Sequence, residues 1–161
     1  MLVSRQHALV WLAVLVVFAL AVGGAGGVFT SAAIPTWYAG LAKPLLTPPN
    51  WVFPIVWTSL YAVMGIAQWL VWRQGGFRSH VPAHLLYLAQ LALNFFWSFI
   101  FFGLHQPKLA LFEVVALLIS IGLTGRLFGR IDALAGWLLA PYFGWVAFAT
   151  YLNFEIVVLN P

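Results

Sequence analysis

Polar side chains that could bind or react are few in this chain, and they occur beside aromatic residues. Gln90, Asn94 and Trp97 share one helical face, because residues three and four apart are neighbours on a helix. Amides within an apolar segment are costly unless they are paired, so they face other helices or a cavity. Two interpretations stay open: hydrogen bonds between helices, worth about 0.6 kcal/mol each, or a hydrogen bond to the carbonyl of a ligand.

Two further segments carry aromatic residues at helical spacing. They contain Phe53, Trp57 and Tyr61, then Tyr142 and Trp145 followed by Ala149 and Asn153. In a membrane helix, such a stripe is ordinarily packing or part of an interfacial aromatic belt. If the three segments converge, they enclose an apolar pocket with a few polar groups, which is the usual form of a small-molecule site.

Other kinds of chemistry find little support in the sequence. The absence of cysteine excludes disulfides and thiolate chemistry. Glu113 and Glu155 are the only acids within apolar segments, and Asp132 has the position of a helix cap. His80 and His84 have the spacing of a metal-binding pair but no evident third ligand, so no metal site is predicted. The basic residues form no run, so nucleic acid is not an expected partner.

Membrane-spanning helices must position these residues. Of the 161 residues, 64% are hydrophobic and 6% are charged, whereas a soluble domain has about 25% charged residues. Five apolar segments are long enough to cross a hydrocarbon core of about 30 Å: residues 7–27, 51–73, 82–104, 107–126 and 133–158. The first is longer than a signal-peptide core and is expected to be retained. We predict an all-α bundle of five transmembrane helices, with residues 1–161 as one domain embedded in the lipid bilayer.

The distribution of basic residues predicts an orientation. Five lie on the side of the N-terminus: Arg5, Arg73, Arg78, Arg126 and Arg130. Only Lys43 and Lys108 lie on the other side. In a bacterial inner membrane this bias places the N-terminus in the cytoplasm. The outer membrane stays open as an alternative.

The segment between the first two helices is long, rigid and aromatic. Residues 37–57 contain Pro44, Pro48, Pro49 and Pro54, several aromatic residues and one charge, Lys43. A long connection that is stiffened by proline and carries flat rings suggests a lid over a site.

Several linked motifs, in this order along the chain, resemble those of the TspO/MBR family, which includes the tryptophan-rich sensory proteins and the mitochondrial translocator protein. They are WY at 37–38, KP at 43–44, PPxWVFPxxWTxLY at 48–61, QLxLNxxW at 90–97, and PYxxW with ATxLN between 141 and 153. The resemblance implies a homodimer of five-helix bundles that binds porphyrins such as protoporphyrin IX, and other hydrophobic ligands of the translocator-protein type. It implies no obligatory cofactor, and it implies that the first connection closes over the pocket.

The resemblance also implies which residues bind ligand: Trp37, Tyr38, Trp57, Tyr61, Asn94, Trp97, Trp145, Phe148 and Ala149. Trp37 and Trp145 match the tryptophans linked to light-dependent porphyrin breakdown in bacterial members. A binding and sensing protein is therefore the first hypothesis, a photo-oxidative enzyme the second, and a tetrapyrrole or lipid transporter the third. No basic residue follows Tyr151, so the pattern associated with sterol binding is lacking and a bacterial-type member is expected.

Overall fold

The protein is a bundle of five helical spans in a computed structural model, which describes residues 5–161, with side chains from residue 6 onward. The first four spans are α1 (Arg5–Ala33), α2 (Val52–Trp72), α3 (Val81–Ser98, continued by a π-helical turn, Phe99–Gly103) and α4 (Pro107–Ile131). The fifth consists of α5 (Ala133–Leu138) and α6 (Ala140–Leu159). Each span is long and apolar enough to cross a membrane. The predicted all-α membrane bundle is confirmed.

The spans form a closed ring. α1 packs against α2 and α3, α3 against α4, α4 against α5 and α6, and α2 against α5. Around the ring the spans therefore follow the order one, two, five, four, three. Successive spans alternate in direction, so the C-terminal ends of α1, α3 and α6 meet the N-terminal end of α2. We call this end of the bundle the connection end, and the opposite end, where Arg73, Arg78 and Arg126 lie, the basic end.

Glycines allow two pairs of helices to approach closely. A Cβ added to Gly65 of α2 would lie 2.6 Å from the Cα of Val16 in α1, and one added to Gly136 of α5 would lie 2.6 Å from the Cα of Gly129 in α4. Small residues at such positions permit the backbone contact that drives helix association in lipid. Gly144 of α6, by contrast, has no neighbouring atom within 4 Å of an added Cβ.

The fifth span is interrupted near its start. α5 ends at Leu138 and α6 begins at Ala140, so Pro141 occupies the first turn of a new helix, where its missing N–H costs little. The break in the fifth span therefore lies directly before Pro141. Asp132 caps α5 as expected, because its Oδ1 accepts a hydrogen bond from the Ala135 N–H at 3.1 Å.

Two helices extend beyond their predicted ends. α1 continues to Ala33, and α4 continues to Ile131. Gly26 and Gly27, just before the first of these stretches, and Gly129, within the second, do not end the helix, because packing outweighs their weak helix propensity of about 1 kcal/mol per residue. α1 ends only two residues before Pro35, which is consistent with the bias of proline against a continuing helix.

The α1–α2 connection, residues 34–51, is fastened to the C-terminal end of α6. The Ala42 N–H donates to Asn160 Oδ1 at 3.0 Å, and Asn160 Nδ2 donates back to the Ala42 carbonyl at 2.9 Å. Lys43 Nζ donates to the carbonyls of Ala39 and Leu41, each at 3.1 Å. One side chain from the end of the fifth span thus satisfies both backbone groups of a residue in the middle of the connection.

Replacing Asn160 with alanine is expected to loosen the connection without unfolding the bundle. Each exposed hydrogen bond contributes about 1 kcal/mol, so amides near Ala42 should exchange with solvent roughly five- to tenfold faster. Hydrogen–deuterium exchange of the detergent-solubilised protein measures this effect. Asn50→Ala is the matched control, since Asn50 lies in the same connection and its side chain has no hydrogen-bond partner among residues 5–161. Equal exchange near Ala42 in wild type and Asn160→Ala would contradict the fastening role.

Candidate ligand-binding site

A cavity of about 490 Å³ lies between α1, α2 and α3 at the connection end. Its lining includes Gly23, Gly24 and Gly27 from α1, Phe53, Trp57, Thr58 and Tyr61 from α2, and Asn94, Trp97, Ser98 and Phe102 from α3 with its π-helical turn. Ile34 and Asn50, at the two ends of the connection, also line it. This volume falls within the range of about 300–1,000 Å³ that is typical of ligand pockets.

The cavity exists because α1 has glycines, and therefore no side chains, at the positions that face the aromatic rings of α2. A Cβ added to Gly24 or Gly27 would have no atom of another element within 4 Å. At Gly23, an added Cβ would instead collide with the Tyr61 ring. The three glycines therefore leave space beside the aromatic residues and let Tyr61 lie directly on the α1 backbone.

Aromatic rings form the other walls and are held firmly. Trp57 lies against Tyr61, with ring centroids 5.9 Å apart, and meets the edge of Tyr142 at 6.3 Å. Trp97 stacks on Phe101 at 5.4 Å, and its indole N–H donates to Asn153 Oδ1 of α6 at 3.2 Å. Flat rings fixed in this way present a large apolar contact area at little cost in side-chain entropy.

A chain of buried hydrogen bonds runs from the cavity wall into the centre of the bundle. The Tyr61 hydroxyl donates to Asn94 Oδ1 at 2.6 Å, and Asn94 Nδ2 donates to the Tyr142 hydroxyl at 2.7 Å. The Tyr142 hydroxyl in turn donates to Gln90 Oε1 at 2.9 Å. All four side chains are buried. The interhelical hydrogen-bonding interpretation of Gln90 and Asn94 is therefore confirmed, and the chain joins α2, α3 and α6.

Three polar side chains that line the cavity have no partner within residues 5–161. They are the amide of Asn50 and the hydroxyls of Thr58 and Ser98. Thr30 and Ser31 also line the cavity, but their hydroxyls donate to backbone carbonyls of α1. The cavity therefore combines apolar walls with a small set of hydrogen-bonding groups that are available to a ligand.

Trp37 and Tyr38 of the connection pack beside the cavity rather than in its lining. Trp37 stacks on His105, with ring centroids 4.4 Å apart and planes inclined by 16°, and its ring meets the edge of Phe101. Tyr38 is buried against Phe102, which itself lines the cavity. Burial raises the pKa of Tyr38, so its phenol stays neutral at physiological pH.

Comparison with known proteins identifies the family. The TspO/MBR family model matches residues 13–159, which is nearly the whole chain. This chain belongs to the TspO/MBR family. The resemblance predicted from the sequence motifs is confirmed, and membership supports a sensor or receptor role in a membrane.

Relatives within the TspO/MBR family come from all three domains of life. The tryptophan-rich protein TspO of Archaeoglobus fulgidus is 44% identical over 141 residues, which cover 88% of this chain and 91% of that protein. The tryptophan-rich sensory protein of Cereibacter sphaeroides is 41% identical over 124 residues, or 77% of each chain. The human translocator protein is 43% identical over 120 residues, which cover 73% of this chain and 71% of that protein.

The structure brings four of the nine predicted TspO/MBR ligand-binding residues into the cavity lining: Trp57, Tyr61, Asn94 and Trp97. Trp37 and Tyr38 pack next to it, as described above. Trp145, Phe148 and Ala149 lie on α6 outside the lining. Trp145 approaches the cavity through Phe53, whose ring centroid is 6.1 Å away. A role of these nine residues in ligand binding stays a prediction, as do the photo-oxidative and transport alternatives.

The contribution of α1 was not predicted from the sequence. The cavity was expected between the second, third and fifth spans, but its third wall comes from the first span. The available signal was the run of small residues from Ala21 to Gly27. Small residues occur where two helices approach closely and also where a helix leaves space for a cavity. The run alone does not distinguish a helix contact from a cavity wall.

Proposed function

We propose that this protein is a membrane sensor that binds a flat, hydrophobic tetrapyrrole, such as protoporphyrin IX, in the cavity between α1, α2 and α3. The observation that carries the proposal is the 490 Å³ space where the Trp57 and Tyr61 rings face a stretch of α1 without side chains. A flat conjugated ring stacks favourably on indole and phenol rings, and the glycines of α1 leave room for its thickness.

The polar groups of the site suit the acidic edge of such a ligand. The amide of Asn50 and the hydroxyls of Thr58 and Ser98 are free to donate hydrogen bonds to its carboxylates. Lys43 is the only charged residue of the connection, and it lies at the end of the bundle where the cavity is found.

Sensing follows from the hydrogen-bond chain behind the cavity. A ligand that moves Tyr61 or Asn94 also changes the bonds to Tyr142, which lies on α6. The C-terminal end of α6 holds the connection through Asn160. Ligand binding would thereby alter the two elements that a signalling partner could read, namely the fifth span and the connection.

The proposed orientation follows the distribution of charge. The basic end carries two arginines between α2 and α3, Arg73 and Arg78, and two in the last two turns of α4, Arg126 and Arg130. We propose that this end faces the cytoplasm of a bacterium and that the cavity lies toward the opposite face. The homodimer implied by the resemblance stays a prediction.

Titration with protoporphyrin IX, followed by quenching of tryptophan fluorescence in detergent micelles, tests the proposal. Trp57→Ala is expected to weaken binding about tenfold, because it removes a stacking wall worth roughly 1.5 kcal/mol. Trp51→Ala is the matched control, since Trp51 is 67% exposed and lies outside the lining. Equal affinities of wild type and Trp57→Ala, or equal losses in both variants, would contradict the assignment of the site.

A further inference from the structure

A second concave surface lies on the outside of the bundle, between α4 and the fifth span. It is a trough of about 750 Å³. Its lining is rich in small residues, which are Gly122, Gly125, Gly129, Ala133, Gly136 and Ala140. Larger apolar side chains complete its lining, among them Leu118, Ile119 and Phe143. The trough is separate from the proposed tetrapyrrole cavity, with which it shares no lining residue.

The close contact of α4 with α5 explains the shape of the trough. The backbones at Gly129 and Gly136 touch, so no side chain stands between these helices. A Cβ added to Gly122 would meet only the Phe143 ring, at 3.5 Å. The break in the fifth span between Leu138 and Ala140 lies beside the same surface.

The trough has the length of one leaflet of the bilayer. Along α4 its lining runs from Leu118 to Gly129, a distance of about 16 Å at 1.5 Å per helical residue. Half of a hydrocarbon core of about 30 Å is nearly the same distance. Leu118 lies near the middle of α4, and Gly129 lies in its last turn at the basic end. The trough therefore extends from the membrane interface to the bilayer centre.

A positively charged side chain, that of Arg126, lies at the interfacial end of the trough. Arg126 lines it, is exposed, and has neither an ion-pair nor a hydrogen-bond partner among residues 5–161. Trp137 also lines it and is 76% exposed, as an aromatic residue at the headgroup level should be. No carboxylate is among the lining residues.

We propose that the trough binds one phospholipid with an anionic headgroup. The phosphate pairs with Arg126, Trp137 lies at the level of the headgroup, and one acyl chain lies along the small residues. Anionic headgroups are attracted to a basic end of this kind, and basic pockets between membrane helices suit them. A second copy of this chain fits less well, because a helix packed over the trough would press an apolar surface onto the unpaired Arg126.

Native mass spectrometry of the full-length protein in detergent micelles tests the proposal. The protein is titrated with phosphatidylglycerol and with phosphatidylcholine of identical acyl chains. Wild type is expected to bind one phosphatidylglycerol about tenfold more tightly than phosphatidylcholine, and R126Q is expected to lose this preference. R78Q is the matched control, since Arg78 is exposed at the same end but lies outside the trough. Gly122→Leu, which fills the trough, is expected to weaken both lipids equally.

Several outcomes would overturn the proposal. Equal binding of the two lipids to wild type would show that the trough has no headgroup preference. An equal loss of this preference in R78Q and R126Q would mean that it depends on the net charge of the protein and not on the trough. Displacement of the lipid by glycerol 3-phosphate at equal concentration would indicate a simple anion site that does not bind the acyl chain. A dimer whose formation is abolished by Gly122→Leu would assign the surface to a second copy instead. The substitutions at Arg126 and Arg78 change exposed side chains, so these variants are expected to fold.

Discussion

Replacing Gly24 with leucine is expected to weaken binding of protoporphyrin IX strongly while leaving the protein at least as stable as wild type. Gly24 lines the cavity, and a Cβ added there meets no atom of another element within 4 Å. The leucine side chain therefore enters the space that the ligand needs without displacing protein atoms. Glycine also costs about 1 kcal/mol relative to alanine within a helix, so the substitution favours the folded state. We expect a fall in affinity of about 100-fold, corresponding to roughly 2.7 kcal/mol.

The control for this prediction is Gly144→Leu. Gly144 is also helical, also has no neighbouring atom within 4 Å of an added Cβ, and lies on α6 outside the cavity lining. Fluorescence titration and a thermal melt in the same detergent measure both properties of both variants. If Gly24→Leu binds the porphyrin like wild type, the ligand occupies another place. If Gly144→Leu loses binding to the same extent, the effect of leucine is not specific to the cavity.

The five spans could be predicted because hydrophobic length is a local property of the sequence. The identity of the aromatic wall could be predicted as well, since Trp57 and Tyr61 lie four residues apart on one face of α2. Asn94 was recognised because an amide is conspicuous in an apolar helix. Each of these signals comes from side chains that are present and chemically distinctive.

The position of the cavity could not be predicted, because it depends on the order of spans around the ring and on side chains that are absent. Gly24 and Gly27 contribute empty space, and no residue type in the sequence indicates that a helix will leave room for a ligand. The fifth span was expected to face the ligand, but Tyr142 lies behind Asn94 and is only 1% exposed. It supports the wall of the cavity instead of forming it.

The fully buried hydroxyl of Tyr142 is expected to make the largest polar contribution to stability. Tyr142→Phe removes the acceptor of the Asn94 Nδ2 hydrogen bond and the donor to Gln90 Oε1. Hydrogen bonds between membrane helices average only about 0.6 kcal/mol, but an unsatisfied buried group costs about 1–3 kcal/mol. Since two partners are left unsatisfied at once, we expect the free energy of unfolding to fall by about 1–3 kcal/mol. Equilibrium unfolding in mixed micelles measures the change.

Tyr87 provides the matched comparison for Tyr142. Both rings are 1% exposed, but the Tyr87 hydroxyl is buried with no hydrogen-bond partner among the described residues. Tyr87→Phe keeps the ring that stacks on Phe128 at 5.9 Å and removes only an unsatisfied polar atom. Its free energy of unfolding should therefore stay unchanged or rise. Equal losses in Tyr142→Phe and Tyr87→Phe would mean that the Tyr61–Asn94–Tyr142–Gln90 chain adds nothing to stability beyond the packing of the rings. A loss confined to Tyr142→Phe would establish this chain as the polar link that holds α2, α3 and α6 together behind the cavity.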